Sequence, residues 1–404
     1  MVNVIGIDPG SKSVDICMLC DGKICYEKSF ETSVLAENPQ LLVDELTKQC
    51  CIDLIALPSG YGVEVTKLTE IPKDIFEEWY YTFILASTKE DILLAVRKGV
   101  FGAKVYYAIA EFSKLMRNLD APGIFIPGII NLPTIPLHRK INKVDMGTAD
   151  KLAVVTLGIH EVAEKNNLDY EKVSYIHVEV GYGYAAVVAV KNGKVVDAYG
   201  GTTMPGPAFL TAGALDLEVV QAIALFNKEA VFASGCSDML EIYNINEWLE
   251  STDEKSITCF NAFVESVIKA TYSLLYTVKS PLVILLSGRL ARSKHFVDTI
   301  SDALKNVAPV ERMHGLPGAQ QVKETAQGYA VIVDGISGGV FKELVEHVEI
   351  HRASGSALDY ILLKQFFESS LGKNFVKLRS TLKSKAFNMW WWNFDSSRQG
   401  QHTL

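Results

Sequence analysis

Several things are missing from this sequence of 404 residues. No run of eighteen apolar residues occurs, so a membrane-spanning helix is excluded by length. Charged residues are only 21%, with a net charge of −8. Without a basic excess there is nothing to neutralise a phosphate backbone, and nucleic acid is not an expected partner. The opening residues enter an apolar strand with no basic, apolar leader, which predicts a cytoplasmic protein. Cys17 and Cys20 have the spacing of a zinc knuckle, but no second such pair follows. On a strand, side chains three apart point to opposite faces. The seven cysteines are therefore expected as buried, reduced thiols. His347 and His351 stand four apart but lack the Glu of a zinc protease, so surface histidines are expected.

What is abundant is apolar residue, at 49%. At this length a single core stops growing, and two domains are the default. The chain also contains one stretch twice. Residues 5–29 and 176–200 align without a gap, and Asp8 falls on Glu179, Gly10 on Gly181, Gly22 on Gly193 and Lys23 on Lys194. In each copy an apolar strand ends in a carboxylate. A Gly-containing turn follows, then a second strand, then Asp21-Gly22 or Asn192-Gly193, both strong hairpin signals. Internal self-similarity of this kind decides architecture. Two copies of one sheet-forming unit are expected, each opening with a carboxylate-tipped hairpin.

Along the chain, a helix is expected from Pro39 to Gln49 and a buried strand from Ile52 to Leu57. That strand ends in Pro58-Ser59-Gly60-Tyr61-Gly62. A Gly-rich turn at the carboxyl end of a parallel strand lies where open α/β sheets bind ligands; an ordinary strand-to-helix turn is the equal alternative. Residues 91–118 read as one or two helices. Thr148 is placed to cap a helix running to Glu164, with Asp150 in its first turn; otherwise Asp150 faces the cleft between the domains. A second helix, opening near Thr325, carries small residues on one side and suits a close hinge pair. Leu358, Ile361, Leu362 and Phe366 form a helical stripe. Beyond it, a basic stretch leads to Trp390-Trp391-Trp392, read as an irregular terminus or a surface for a membrane or partner.

Two Gly turns facing each other across a cleft offer backbone N–H groups to phosphates from both sides. A carboxylate at each preceding strand tip can hold magnesium; the alternative is that Asp8 and Glu179 only cap turns. Ser11, Lys12 and Ser13 add hydroxyl donors and a cation.

Taken together, the order of acidic hairpin, hinge helix, second acidic hairpin, strand with Ser287-Gly288-Arg289 and small-residue helix resembles the acetate kinase, sugar kinase, heat-shock chaperone and actin superfamily. The resemblance covers residues 3–346. It implies an α/β chain of two duplicated RNase H-like, actin-like ATPase domains, 1–158 and 159–346, with a nucleotide cleft between them and a C-terminal segment, 347–404. Asp8-Pro9-Gly10-Ser11-Lys12-Ser13 and Val180-Gly181-Tyr182-Gly183 are similar to the two phosphate segments of acetate and butyrate kinases. The whole chain looks like an archaeal family described as predicted butyrate kinases. The resemblance implies ATP and Mg2+ as cofactors, with Asp8 and Glu179 on the metal. Gly10, Ser11, Lys12, Ser13, Gly181, Tyr182 and Gly183 would then serve the phosphates, and Gly288 and Arg289 the nucleotide.

Three departures touch the acceptor. Asp15 stands where those kinases carry Lys, Glu179 where they carry His, and the arginine after their Gly-Pro segment has no counterpart in Phe209 to Leu217. The expected function is phosphorylation of a small carboxylic acid. Arg139 and Lys12 would neutralise the transferring group, and Asp145 or Asp150 would orient the acceptor. A hydroxyl kinase and an ATP-switched binding protein of the same fold are the alternatives, and a homodimer is compatible with each.

Overall fold

Each Asx-Gly pair makes the turn that its sequence predicts. Asp21 and Gly22 have φ of 48° and 74°, and Asn192 and Gly193 of 54° and 69°. Paired positive values define the type I′ hairpin, which Asx and Gly accept at little cost. In the computed structural model, which describes residues 1–223 and 228–383, these turns join β2 (Ser13–Cys20) to β3 (Lys23–Glu31) and β8 (Ala185–Lys191) to β9 (Lys194–Tyr199). The strands before them, β1 (Asn3–Pro9) and β7 (Tyr175–Val180), pair antiparallel with β2 and β8.

The two sheets repeat one order. β4 (Leu54–Ala56) lies parallel to β1 and to β6 (Gly123–Phe125). β10 (Ile284–Ser287) lies parallel to β7 and to β11 (Val310–Arg312). The series β3-β2-β1-β4-β6 thus matches β9-β8-β7-β10-β11, and the first sheet adds β5 (Thr66–Lys67) at its edge. β1 and β7 are buried along almost their whole length, as expected of inner strands covered on both faces.

Two helices, Ala149–Asn166 and Glu324–Ile336, cross between the sheets. Small residues let them approach. A Cβ on Gly328 would lie 2.2 Å from the carbonyl oxygen of Ala153, and one on Gly6 2.3 Å from the amide nitrogen of Ala330. Gly328→Ala is therefore predicted to cost about 1–3 kcal/mol through overpacking. A urea midpoint unchanged in this variant would show that the crossing can widen freely.

Several expectations need correction. Cys20 and Cys25 form a disulfide, with Cα atoms 5.8 Å apart. The pair is Cys20 with Cys25 rather than with Cys17 because the Asp21-Gly22 hairpin folds residue 25 back beside residue 20. Cys50 and Cys51 are exposed, while Cys17, Cys236 and Cys259 are buried thiols. His351 is exposed but His347 is only partly so; its ring nitrogen lies 2.8 Å from the Asn192 carbonyl oxygen. Thr148 occupies the N-cap position without accepting a helix bond. Its hydroxyl donates to Asp150 instead.

The expected stripe from Leu358 to Phe366 is not one helix. A 3-10 turn, Ala357–Tyr360, is closed by Ser356, whose amide donates to the Asp359 carboxylate at 2.7 Å, and a short helix, Lys364–Glu368, begins separately. The basic stretch that follows is packed rather than irregular as far as residue 383. Phe375 meets Phe83, and Lys377, Arg379 and Lys383 pair with Glu78, Asp359 and Glu70. The three tryptophans lie outside the described residues. Among the described residues no helix is long and apolar enough to cross a membrane.

Candidate active site

Asp8 and Glu179 stand at equivalent strand tips, and their carboxylates are buried, at 3% and 5% exposure. Each is met by a lysine. Lys323, the residue before the helix Glu324–Ile336, places its Nζ 2.6 Å from Asp8 Oδ2 and 3.6 Å from Asp15 Oδ2. It also donates to the Ser13 carbonyl at 3.2 Å. Asp15 faces Asp8 across the β1–β2 register and accepts from Ser29 Oγ at 2.6 Å. Lys151, in the first turn of Ala149–Asn166, lies 2.7 Å from Asp150 Oδ2 and 2.8 Å from Glu179 Oε2. Glu179 Oε2 is buried, and the Lys151 ammonium is its ion-pair partner.

The pairing is crossed between the copies. The acid of the first sheet is neutralised by a lysine that follows the second sheet in the chain, and the acid of the second sheet by one that precedes it. Lys151 and Lys323 are 172 residues apart, against 171 for Asp8 and Glu179. The duplication therefore includes the cations, and their matched spacing is the signal for them in the sequence.

Burial pushes the Asp8 and Glu179 carboxyls above the usual carboxylate range, and the lysines only partly oppose it. For Asp150 the balance is reversed: burial works against ionisation, but Lys151 and the Thr148 hydroxyl hold the carboxyl below its ordinary value. Burial also opposes the charge on Lys151 and Lys323, yet the surrounding carboxylates hold both ammonium groups above their usual value.

Glycine is required where the chain passes these charges. A Cβ on Gly10 would lie 2.3 Å from Lys323 Nζ and 2.8 Å from the Ser13 carbonyl oxygen, and one on Gly288 2.5 Å from the Val180 carbonyl oxygen and 2.8 Å from Glu179 Oε1. One on Gly183 would lie 3.2 Å from Ser11 Oγ, so the two Gly loops meet across the gap between the copies. Gly181 donates its amide to the Tyr184 carbonyl at 2.9 Å, closing the second loop. Ser287 stands beside Glu179 in the β7–β10 register, its Oγ 2.7 Å from Nε2 of His177. Burial, aided by Lys151, pushes that imidazole down to about 3, so it is neutral and serves to orient Ser287.

The remaining expected residues are distributed around this centre. Ser13 is half-buried and Lys12 exposed. Arg289 is exposed, with its guanidinium 5.9 Å from the Tyr182 ring. Arg139 points elsewhere: it donates to the Val196 carbonyl at 2.6 Å and pairs with Asp197 at 3.3 Å. Asp145 braces two loops, accepting from the Gly147 amide at 3.0 Å and from the Thr202 amide and hydroxyl at 3.0 and 3.2 Å.

No group of three or more His, Cys, Asp or Glu side chains forms a metal cage among the described residues. Two hard carboxylates nevertheless suit magnesium, which takes one or two such ligands and fills its shell with water and substrate phosphates.

Residues 6–363 match the family model described as Protein of unknown function (DUF1464). The chain belongs to this family. Among curated proteins none matches. Solved structures do resemble the DUF1464 chain. A propionate kinase from Francisella tularensis is 13% identical with a TM-score of 0.55, the match covering 82% of this chain and 98% of that one. Acetate kinase from Porphyromonas gingivalis is 14% identical with a TM-score of 0.52, over 83% and 99%. That from Entamoeba histolytica is 14% identical with a TM-score of 0.50, over 75% and 86%. The DUF1464 chain therefore has the duplicated two-sheet fold of these acetate and propionate kinases.

Proposed function

We propose that this protein transfers the γ-phosphoryl group of ATP to the carboxylate of a small acid, as its likeness to acetate and propionate kinases suggests. A carboxylate oxygen attacks the γ-phosphorus and the bond to the β–γ bridging oxygen breaks, giving an acyl phosphate and ADP. No proton changes hands. The observation that carries this reading is that the acids gathered around the two strand tips are all engaged. Asp8 and Asp15 share Lys323, Glu179 and Asp150 share Lys151, and Asp145 is held by three hydrogen bonds. A hydroxyl acceptor needs a carboxylate to take its proton. A carboxylate acceptor needs none.

In this reading Asp8 and Glu179 would hold Mg2+, which supplies charge neutralisation to the phosphates. Gly10, Ser11, Gly181 and Gly183 would offer backbone donors, and Lys151 and Lys323 add positive charge where a trianionic group must pass. Phosphoryl transfer depends on such positioning and neutralisation more than on covalent chemistry. The test is a hydroxylamine trap. With MgATP and a panel of short carboxylic acids, hydroxamate should accumulate with at least one. ATP turnover without any hydroxamate would sink the acid kinase.

A further inference from the structure

Beyond the strand-tip acids lies a second charged group that none of the roles above uses. The segment leaving β9 for the first half of the chain ends in a 3-10 turn, Lys228–Phe232. It is anchored there by the Glu229–Lys98 ion pair at 2.7 Å and by Phe232, which packs edge-on against Tyr106 with centroids 4.6 Å apart. Tyr184, the residue after Gly183, donates its hydroxyl to the Val231 carbonyl at 3.1 Å. The turn is thus tied directly to the second phosphate loop.

Lys228 sits at the centre of this junction, half-buried. Its ammonium lies 4.6 Å from the centroid of Tyr61 and 5.8 Å from that of Tyr106. Its polar contacts are long, 3.4 Å to the Tyr61 hydroxyl and 3.5 Å to the Ala86 carbonyl. Among the described residues no carboxylate pairs with it. A cation removed from water is ordinarily paired with an anion, and two aromatic faces supply only part of that compensation. Burial accordingly pushes its pKa down to about 8, with Asp145 and Asp91 opposing. Tyr61 belongs to the Gly-rich turn at the carboxyl end of β4, a position where open α/β sheets take ligands.

We propose that Lys228 binds the anionic group of the acceptor, a short aliphatic carboxylate whose chain lies along the Tyr61 and Tyr106 rings. In naming a carboxylate this rests on the acid-kinase reading. Through the Tyr184–Val231 hydrogen bond the site adjoins the loop that would carry the γ-phosphoryl.

The test is calorimetric titration of acetate and butyrate into the full chain saturated with MgADP. Wild type should bind at least one acid. Lys228→Met should weaken that binding at least about tenfold, and Lys228→Arg should keep it within about threefold, while the heat of MgADP binding stays unchanged in both as the control for folding. If Lys228→Met fails that control, Lys228→Gln replaces it. Binding of neither acid by wild type, or equal binding by the neutral variant, overturns the proposal. Hydroxamate formation separates the two readings. Lys228-dependent acid binding without hydroxamate sinks the kinase and leaves the site, and hydroxamate with Lys228-independent binding does the reverse.

Discussion

Asp8→Asn and Glu179→Gln are each expected to lower acyl phosphate formation about a thousandfold, equivalent to about 4 kcal/mol of transition-state stabilisation, while leaving the fold intact. Both changes are isosteric, so the buried strand tips keep their packing. Neither strands a lysine. Lys323 retains Asp15 at 3.6 Å and Lys151 retains Asp150 at 2.7 Å. What is lost is the negative charge that would hold magnesium against the phosphates. Turnover by the hydroxamate assay, with MgATP-dependent melting as the companion measurement, decides the matter. Full turnover in both variants would return these acids to a role in the turns alone.

Lys151→Met should have the largest effect on stability. It removes the ammonium shared by Asp150 and Glu179, and leaving a buried charge uncompensated costs about 3–5 kcal/mol. The pH dependence identifies the cause. In the wild type, Asp150 is depressed below its unfolded value of 3.8, so it contributes stability above that value and loses it as pH falls through the folded one. Glu179 is raised, so its ionisation costs stability that is recovered on acidification. Without Lys151 both carboxyls should titrate high, and the folded variant takes up protons more readily than its unfolded chain. The deficit measured by urea unfolding should therefore be greatest at neutral pH and shrink toward about pH 4. A deficit that does not vary with pH would mean that Lys151 acts through packing only.

Local chemistry made the hairpins legible. Asp21-Gly22 and Asn192-Gly193 force their turns whatever surrounds them, and a gapless repeat sets both sheets once one is recognised. The acids at the strand tips followed from the same alignment. Their counter-ions did not, because Lys151 and Lys323 reach Glu179 and Asp8 only through the crossing of two helices, a contact that strand periodicity cannot express. Arg139 and Asp145 are charged candidates in the sequence, whereas in the fold their charges are largely met by Asp197, Thr202 and Gly147. Lys228 carries no signal in the sequence for a related reason: it becomes distinctive only when Tyr61 and Tyr106 close around it from another part of the chain. The C-terminal segment reads in sequence as an irregular terminus or a surface for a membrane or partner, because Glu70 and Glu78, the partners of its basic residues, lie some three hundred residues earlier.

The crossed lysines also constrain how such a chain can have arisen. If the fusion between the two copies is undone, the helix Ala149–Asn166 still lies against β7 and β8, and Glu324–Ile336 against β1 and β2. Each copy would then give away its own terminal helix, with the lysine at its start, and receive the other's. Two identical unfused subunits could satisfy both acids only by a reciprocal exchange about a two-fold axis, each supplying the cation for its neighbour's carboxylate. The present chain has the contacts of a domain-swapped dimer recorded in a single polypeptide.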